Sequence, residues 1–376
     1  MDLIRCFACF SVIAVHFFMN AGFPKQPVSG GRMYLMVYYR SFFMCCVPLF
    51  LMLSGYLLCH KKPERRYYGR IGRLLFVYCA ASLFCLFGYR FLYTHLHGLL
   101  GLPAADFQPI PLKSVVLQIL GFTADSYAWY VEMYLGLFLM IPFLNILYAG
   151  IPSKRGKQLL LLSGVVLSFL PSVINVYNFN QPGWWGDPTL RTGSGELYSF
   201  HPLIPGWWTW LYPVTYYFVG CYLREFRVRI RPRTCALLIL LTVAASGTYC
   251  LWRTAGANYI AGAWNNWNSL FNLVLSLLVF LFFLNLNCRR LPGAVQRILA
   301  RLSELCFGAY LVSWVWDKLF YPALAARQPV IFLRVHAWIL IVPGVFICSM
   351  LTSWIIHLLY RLLQMTGARL RKLRGT

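Results

Sequence analysis

Apolar stretches of membrane-spanning length recur along the whole chain, at roughly 3–20, 34–58, 74–93, 127–149, 159–174, 207–223, 235–252, 268–287, 303–322 and 335–360. A helix crosses the hydrocarbon layer with about 20 predominantly apolar residues. In lipid, every backbone polar group must find its partner within the spanning structure. The pattern therefore predicts an all-α fold, a polytopic membrane helical bundle with about ten transmembrane helices. The run at 112–122 is shorter, precedes Asp125, and reads as interfacial or re-entrant. Only short loops remain between the spans, so residues 1–376 are expected to form a single transmembrane domain with no separate soluble domain. Charged residues make up 12% of the chain, against about 25% in a soluble domain.

The formal net charge is +24. Such a value suits a nucleic-acid partner only when the basic residues form a patch on a polar domain. Here they punctuate apolar runs instead, so no nucleic-acid partner is expected. With the N-terminus inside, 24 of the 34 Lys and Arg residues fall on inner loops and tails, with the largest cluster in the 59–73 loop. That bias obeys the positive-inside rule with an even number of spans, and both termini should be cytoplasmic. The first segment carries His16 and lacks a small-residue cleavage site before the polar stretch at 20–32, so it reads as a retained helix.

Thirteen cysteines are present, nearly all inside apolar runs, including the Cys6/Cys9 pair and adjacent Cys45 and Cys46. A redox or metal pair needs a solvated or electropositive setting. These read as small core- or lipid-facing residues. No metal-binding spacing is visible, and no metal is expected.

Ionisable residues inside spans are costly and mark function by default. Arg5 and His16 lie eleven residues apart in MDLIRCFACFSVIAVHFF, so they share one helix face, about 16 Å apart along the axis. By topology His16, Arg40, Glu132 and Asp317 all belong to the outer half of the bundle, where one water-accessible cavity would hold them. The competing reading is pairwise ion pairs tying helices together, for example Arg40 with Glu132. In the cavity reading His16 is a general base, with Glu132 as its orienting carboxylate. Arg40 would stabilise an oxyanion. The inner loop places Arg70 and Arg73 one turn apart, on one helix face. Paired guanidiniums suit phosphate recognition, or the loop rests on anionic lipid. The outer loop at 176–206 is rich in Trp, Tyr, Asn, Gly and Pro. It reads either as a sugar-binding surface or as an interfacial aromatic belt.

These pieces resemble the acyltransferase-3 family of bacterial inner-membrane proteins. The family's D-x-x-R…H first helix is matched by Asp2, Arg5 and His16, and its PLFFMLSGYLL phrase by PLFLMLSGYLL at 48–58. Arg70 and Arg73 match its R-x-x-R, Trp129 and Tyr130 its W-Y/F phrase, and FGAYLVSWVWDK at 307–318 its FGxYLxH, with Ser313 where relatives often carry a histidine. Many relatives add an extracytoplasmic esterase-like domain; this chain is expected to work alone or to pass its acyl group to a partner. The resemblance implies a membrane O-acetyltransferase in the bacterial cytoplasmic membrane. It would move acetyl from cytoplasmic acetyl-CoA to a hydroxyl of a cell-surface polysaccharide. Arg5, Arg70 and Arg73 would hold the CoA phosphates; Arg40, Trp129 and Asp317 would serve the oxyanion or the acceptor. The expected partners are membrane lipid and a glycan or lipid-linked glycan. The alternative is a transporter or flippase for a lipid-linked glycan, with a polar cavity and no acyl chemistry. His16, reached from outside, and the arginines, reached from the cytosol, are expected to open onto one continuous tunnel through the bundle. Oligomeric state is not legible in the sequence.

Overall fold

The computed structural model describes residues 1–179, 203–286 and 291–374, with side chains as far as residue 366. It is 78% helical, and no strand occurs among the described residues. The first half of the chain contains α1 (Asp2–Asn20), α2 (Gly31–Phe43), α3 (Cys46–Leu58), α4 (Arg65–Tyr68), α5 (Ile71–Leu83), α6 (Tyr89–Leu100), α7 (Leu112–Leu120) and α8 (Trp129–Ala149). The second half contains α9 (Lys154–Ser168), α10 (Pro171–Ile174), α11 (Tyr212–Glu225), α12 (Pro232–Thr254), α13 (Leu270–Asn285), α14 (Gly293–Arg327) and α15 (Trp338–Arg374). A π-helical segment, Phe84–Gly88, joins α5 to α6, and 3-10 turns precede α11, α13 and α15.

Nine segments among the described residues are long and apolar enough to cross a membrane. Helix α11, continued by the 3-10 turn Trp207–Leu211, is not apolar enough to be among them but packs against α3 within the bundle. It runs antiparallel to α9: Lys157 grips Glu225 at one end (2.7 and 2.8 Å), and Ser168 reaches Thr215 and the Trp208 carbonyl at the other. Helix α7 has nine residues and cannot span. The chain is a multi-pass membrane protein, with about the number of spans that the apolar pattern predicts.

The helices overrun the apolar runs. The third passage is helical from Ile71 to Leu100, and α14 and α15 reach 35 and 37 residues. Apolar length reports the part of a helix in lipid; polar flanks such as THLHG at 94–98 carry the same helix onward. Of the aromatic loop expected at 176–206, residues 180–202 lie outside the described residues.

Helix α1 is apolar on nearly every side and 72% of its span is buried, against 28% for those of α9 and α12. An all-round apolar helix belongs in the interior, and α1 forms the axis around which α2, α3, α14 and α15 pack. Beside it, α3 and α11 touch backbone to backbone. A Cβ on Gly55 would sit 1.9 Å from the Tyr217 carbonyl oxygen, and one on Gly220 2.0 Å from that of Met52. Small residues permit this approach in membrane bundles. Asn145 of α8 then donates to the Leu58 and Lys61 carbonyls (both 2.8 Å) and accepts from the Tyr217 hydroxyl (2.6 Å), closing the end of α3.

Both ends of the described chain lie on one face. Arg5 donates to Ser303 Oγ at 2.5 Å, and Arg361 sits 3.8 Å from Glu304. At the opposite face Arg334, in the turn Ile331–Ala337, donates to the Ala21 carbonyl just past α1 (2.8 Å).

Candidate active site

Helix α1 carries His16 to the half of the bundle remote from the termini. Its Nδ1 lies 3.3 Å from Asp317 Oδ2 of α14, with the imidazole side chain 12% exposed and the carboxylate 2%. Tyr127, just before α8, completes the group. Its ring stacks on the imidazole, with centroids 3.9 Å apart and planes inclined by 28°. Its hydroxyl donates to Asp317 Oδ2 at 2.6 Å and accepts from Asn20 at 3.1 Å. The His16–Asp317 contact falls outside hydrogen-bond geometry. His16 Nδ1 and Asp317 Oδ1 are both buried without a hydrogen-bond partner among the described residues. Unsatisfied buried polar atoms are rare in folded proteins, and catalytic hydrogen bonds are often long until substrate binds. With the carboxylate facing Nδ1, Nε2 is the nitrogen left for a substrate proton.

The position of Tyr127 is set by its own neighbours. Asp125 Oδ1 accepts from the Tyr127 N–H at 2.7 Å, and the Tyr310 hydroxyl donates to the Tyr127 carbonyl. Asp125 lies outside the spanning segments yet is buried, and burial pushes its carboxyl up to about 6, against the pull of the Tyr127 and Ala128 N–H groups.

On the side of the termini, a cavity of about 430 Å³ is lined by Arg5 (α1), Arg70 and Arg73 (the start of α5), Ser54 (α3), Ser303 (α14) and His357 (α15). The three arginines that the sequence nominates for phosphate thus share one cavity. Its inner end is formed by Val12, Tyr130 and Tyr310. Each lies on, or runs on into, the same helix as one member of the His16 group, about one or two turns away: Val12 with His16, Tyr130 with Tyr127, Tyr310 with Asp317. His16 itself does not line the cavity. Tyr310 packs between Tyr127 and Tyr130, at 6.4 and 5.7 Å between centroids, so a layer of tyrosines separates cavity and imidazole. The cavity does not reach the imidazole, so it does not form the continuous tunnel expected from the sequence.

The remaining expected site residues lie elsewhere. Glu132 is exposed and has no ion-pair partner among the described residues; the carboxylate against His16 is Asp317. One helical turn separates depth from direction: Glu132 has the right depth but points away. Arg40 pairs neither with Glu132 nor with His16. It is buried, donating to the Tyr259 hydroxyl (2.6 Å) and the Asn265 carbonyl (3.2 Å), with its guanidinium over the Phe18 and Tyr259 rings. That engagement ties α2 to the α12–α13 connection and leaves no oxyanion role for it in this conformation. Trp129 stacks on Trp267 at 4.4 Å, at the first residue of α8. Tyr127 and Asp125 are the residues that sequence reasoning missed; the one hint was a carboxylate and an aromatic phrase, DSYAWY, directly before a span. No cluster of three metal-ligating side chains occurs among the described residues.

Comparison with known proteins agrees with the motifs. The acyltransferase-3 family model, described as an acyltransferase domain, matches residues 1–358. No curated protein and no solved structure matches the chain. A match over essentially the whole length, on a multi-pass helical bundle, places the chain in the acyltransferase-3 family of membrane acyltransferases.

Proposed function

We propose that the protein transfers an acetyl group from acetyl-CoA to a hydroxyl of a cell-surface polysaccharide, in the cytoplasmic membrane of a bacterium. One observation carries this reading: Arg5, Arg70 and Arg73 line a single cavity that also reaches Val12 and Tyr310, one to two turns from His16 and Asp317 on the same helices. The face bearing the termini is cytoplasmic, as its excess of Lys and Arg indicates. Guanidiniums there bind the CoA phosphates, and the pantetheine arm extends along α1 towards the imidazole. The acceptor, a glycan or lipid-linked glycan, approaches from the other face.

The chemistry needs no metal. His16 Nε2 accepts the proton of the acceptor hydroxyl as its oxygen attacks the thioester carbonyl carbon. The tetrahedral oxyanion collapses, the C–S bond breaks, and the proton on His16 passes to the departing CoA thiolate. Asp317 holds the proton on Nδ1 and stabilises the transient imidazolium, while Tyr127 holds Asp317. For the two substrates to meet, the tyrosine layer must open. Purified protein in lipid nanodiscs should bind acetyl-CoA and release CoA when glycan is supplied, and cells carrying His16→Ala should lose polysaccharide O-acetyl groups at normal protein level. Glycan movement without acetyl-CoA binding would instead assign the chain to transport.

A further inference from the structure

A second cavity, of about 290 Å³, opens between α14 and α15 and is lined by Arg301, Glu304, Leu305, Trp354, His357, Leu358 and Arg361. It shares Glu304 and His357 with the larger cavity, so the two meet at these side chains. His357 Nδ1 lies 2.9 Å from the Ser353 carbonyl, which can only accept; that nitrogen therefore carries the proton and the ring is held upright at the junction. Arg301 and Glu304 are three apart on α14 and share its face, and Arg361 sits across from Glu304 at 3.8 Å.

The combined lining holds five guanidiniums, Arg5, Arg70, Arg73, Arg301 and Arg361, against the single carboxylate of Glu304. They fall into two groups, one on each side of His357. A ligand with one phosphate cluster would leave the second group unmatched. Resting on the reading of the larger cavity as the donor site, we propose that the side cavity receives the adenosine 3′-phosphate of coenzyme A. Arg301 and Arg361 hold the phosphomonoester there, while Arg70 and Arg73 hold the pyrophosphate. The phosphomonoester carries a charge of about −1.5 to −2, which displaces Glu304 from Arg361. The same chemistry could be met by the phosphate of an anionic lipid, because Trp354 and Leu358 face outward at the cavity mouth.

Binding of CoA and of 3′-dephospho-CoA to the full chain distinguishes these sources, measured in nanodiscs of zwitterionic lipid and again with phosphatidylglycerol added. The wild type should prefer CoA by about 10- to 100-fold, as expected for charge-assisted hydrogen bonds to one phosphate. Arg301→Gln/Arg361→Gln should abolish that preference while leaving dephospho-CoA affinity unchanged, which also shows the variant to be folded. Arg361→Lys should restore part of it. An unchanged preference in the double variant, with phosphatidylglycerol retention lost, would assign the pair to lipid and overturn the proposal. Equal loss for both ligands would overturn it as well. A wild type that binds neither ligand would remove the donor-site reading itself.

Discussion

His16 is held on three sides by groups of different character: the carboxylate of Asp317, the ring of Tyr127 and the body of α1. Each makes a separable contribution. In the proposed mechanism His16→Ala removes the base and should lower acetyl transfer by about 10²- to 10⁴-fold. Asp317→Asn keeps the shape but no longer favours the proton on Nδ1, and a loss of similar size is expected. Tyr127→Phe removes one hydrogen bond to a charged group and should cost about 10- to 100-fold. All three are read as CoA release from acetyl-CoA at saturating donor. Asp125 gives a pH signature instead. Its carboxyl is raised from 3.8 to about 6 in the fold, so its contribution to stability is fully present below about pH 4 and is lost as pH rises through 6, about 3 kcal/mol in all. Asp125→Asn retains an oxygen for the Tyr127 N–H and cannot ionise. Thermal unfolding in detergent should show it more stable than wild type at pH 8 and level with it near pH 4. At this scale His16 and Asp317 were legible because an ionisable residue inside an apolar run stands out. Tyr127 was not, in a chain with 24 tyrosines. Nor could depth along a helix reveal that Asp317, rather than Glu132, faces the imidazole; that depends on rotation, which packing decides.

Helix pairs carry their own expectation. At Gly55 and Gly220 an added methyl would meet a main-chain carbonyl at about half a van der Waals separation, and neither backbone can turn aside. Gly55→Ala and Gly220→Ala should each destabilise at the upper end of about 1–3 kcal/mol or beyond, seen as a lowered melting temperature and loss of monodisperse protein. Gly136→Ala, where no atom lies within 4 Å, should be neutral or slightly stabilising. The glycine in the PLFLMLSGYLL phrase is thus explained by packing, not by chemistry. Helix number was legible from apolar runs because lipid demands a minimum length. Helix ends were not, since polar flanks continue a helix without any hydropathy signal.

Across the whole molecule, the cationic cavity on the face bearing the termini and the histidine site beyond it lie along one axis, that of α1. Arg70→Gln/Arg73→Gln should therefore raise the KM for acetyl-CoA by about tenfold or more while altering kcat little, because phosphate grip is remote from the reacting carbon. Steady-state kinetics in nanodiscs checks the split. The sequence showed this axis through the spacing of Arg5 and His16 alone; that the way between them is shut required the side chains of α8 and α14.

That shut layer bears on the cell as much as on the reaction. Across a membrane that holds a proton gradient, a standing column of water leading to an imidazole would be a short circuit. With the Tyr127, Tyr130 and Tyr310 rings packed together between the cavity and the imidazole, the protein behaves as an airlock: water filling one chamber does not run on into the next, and the voltage survives.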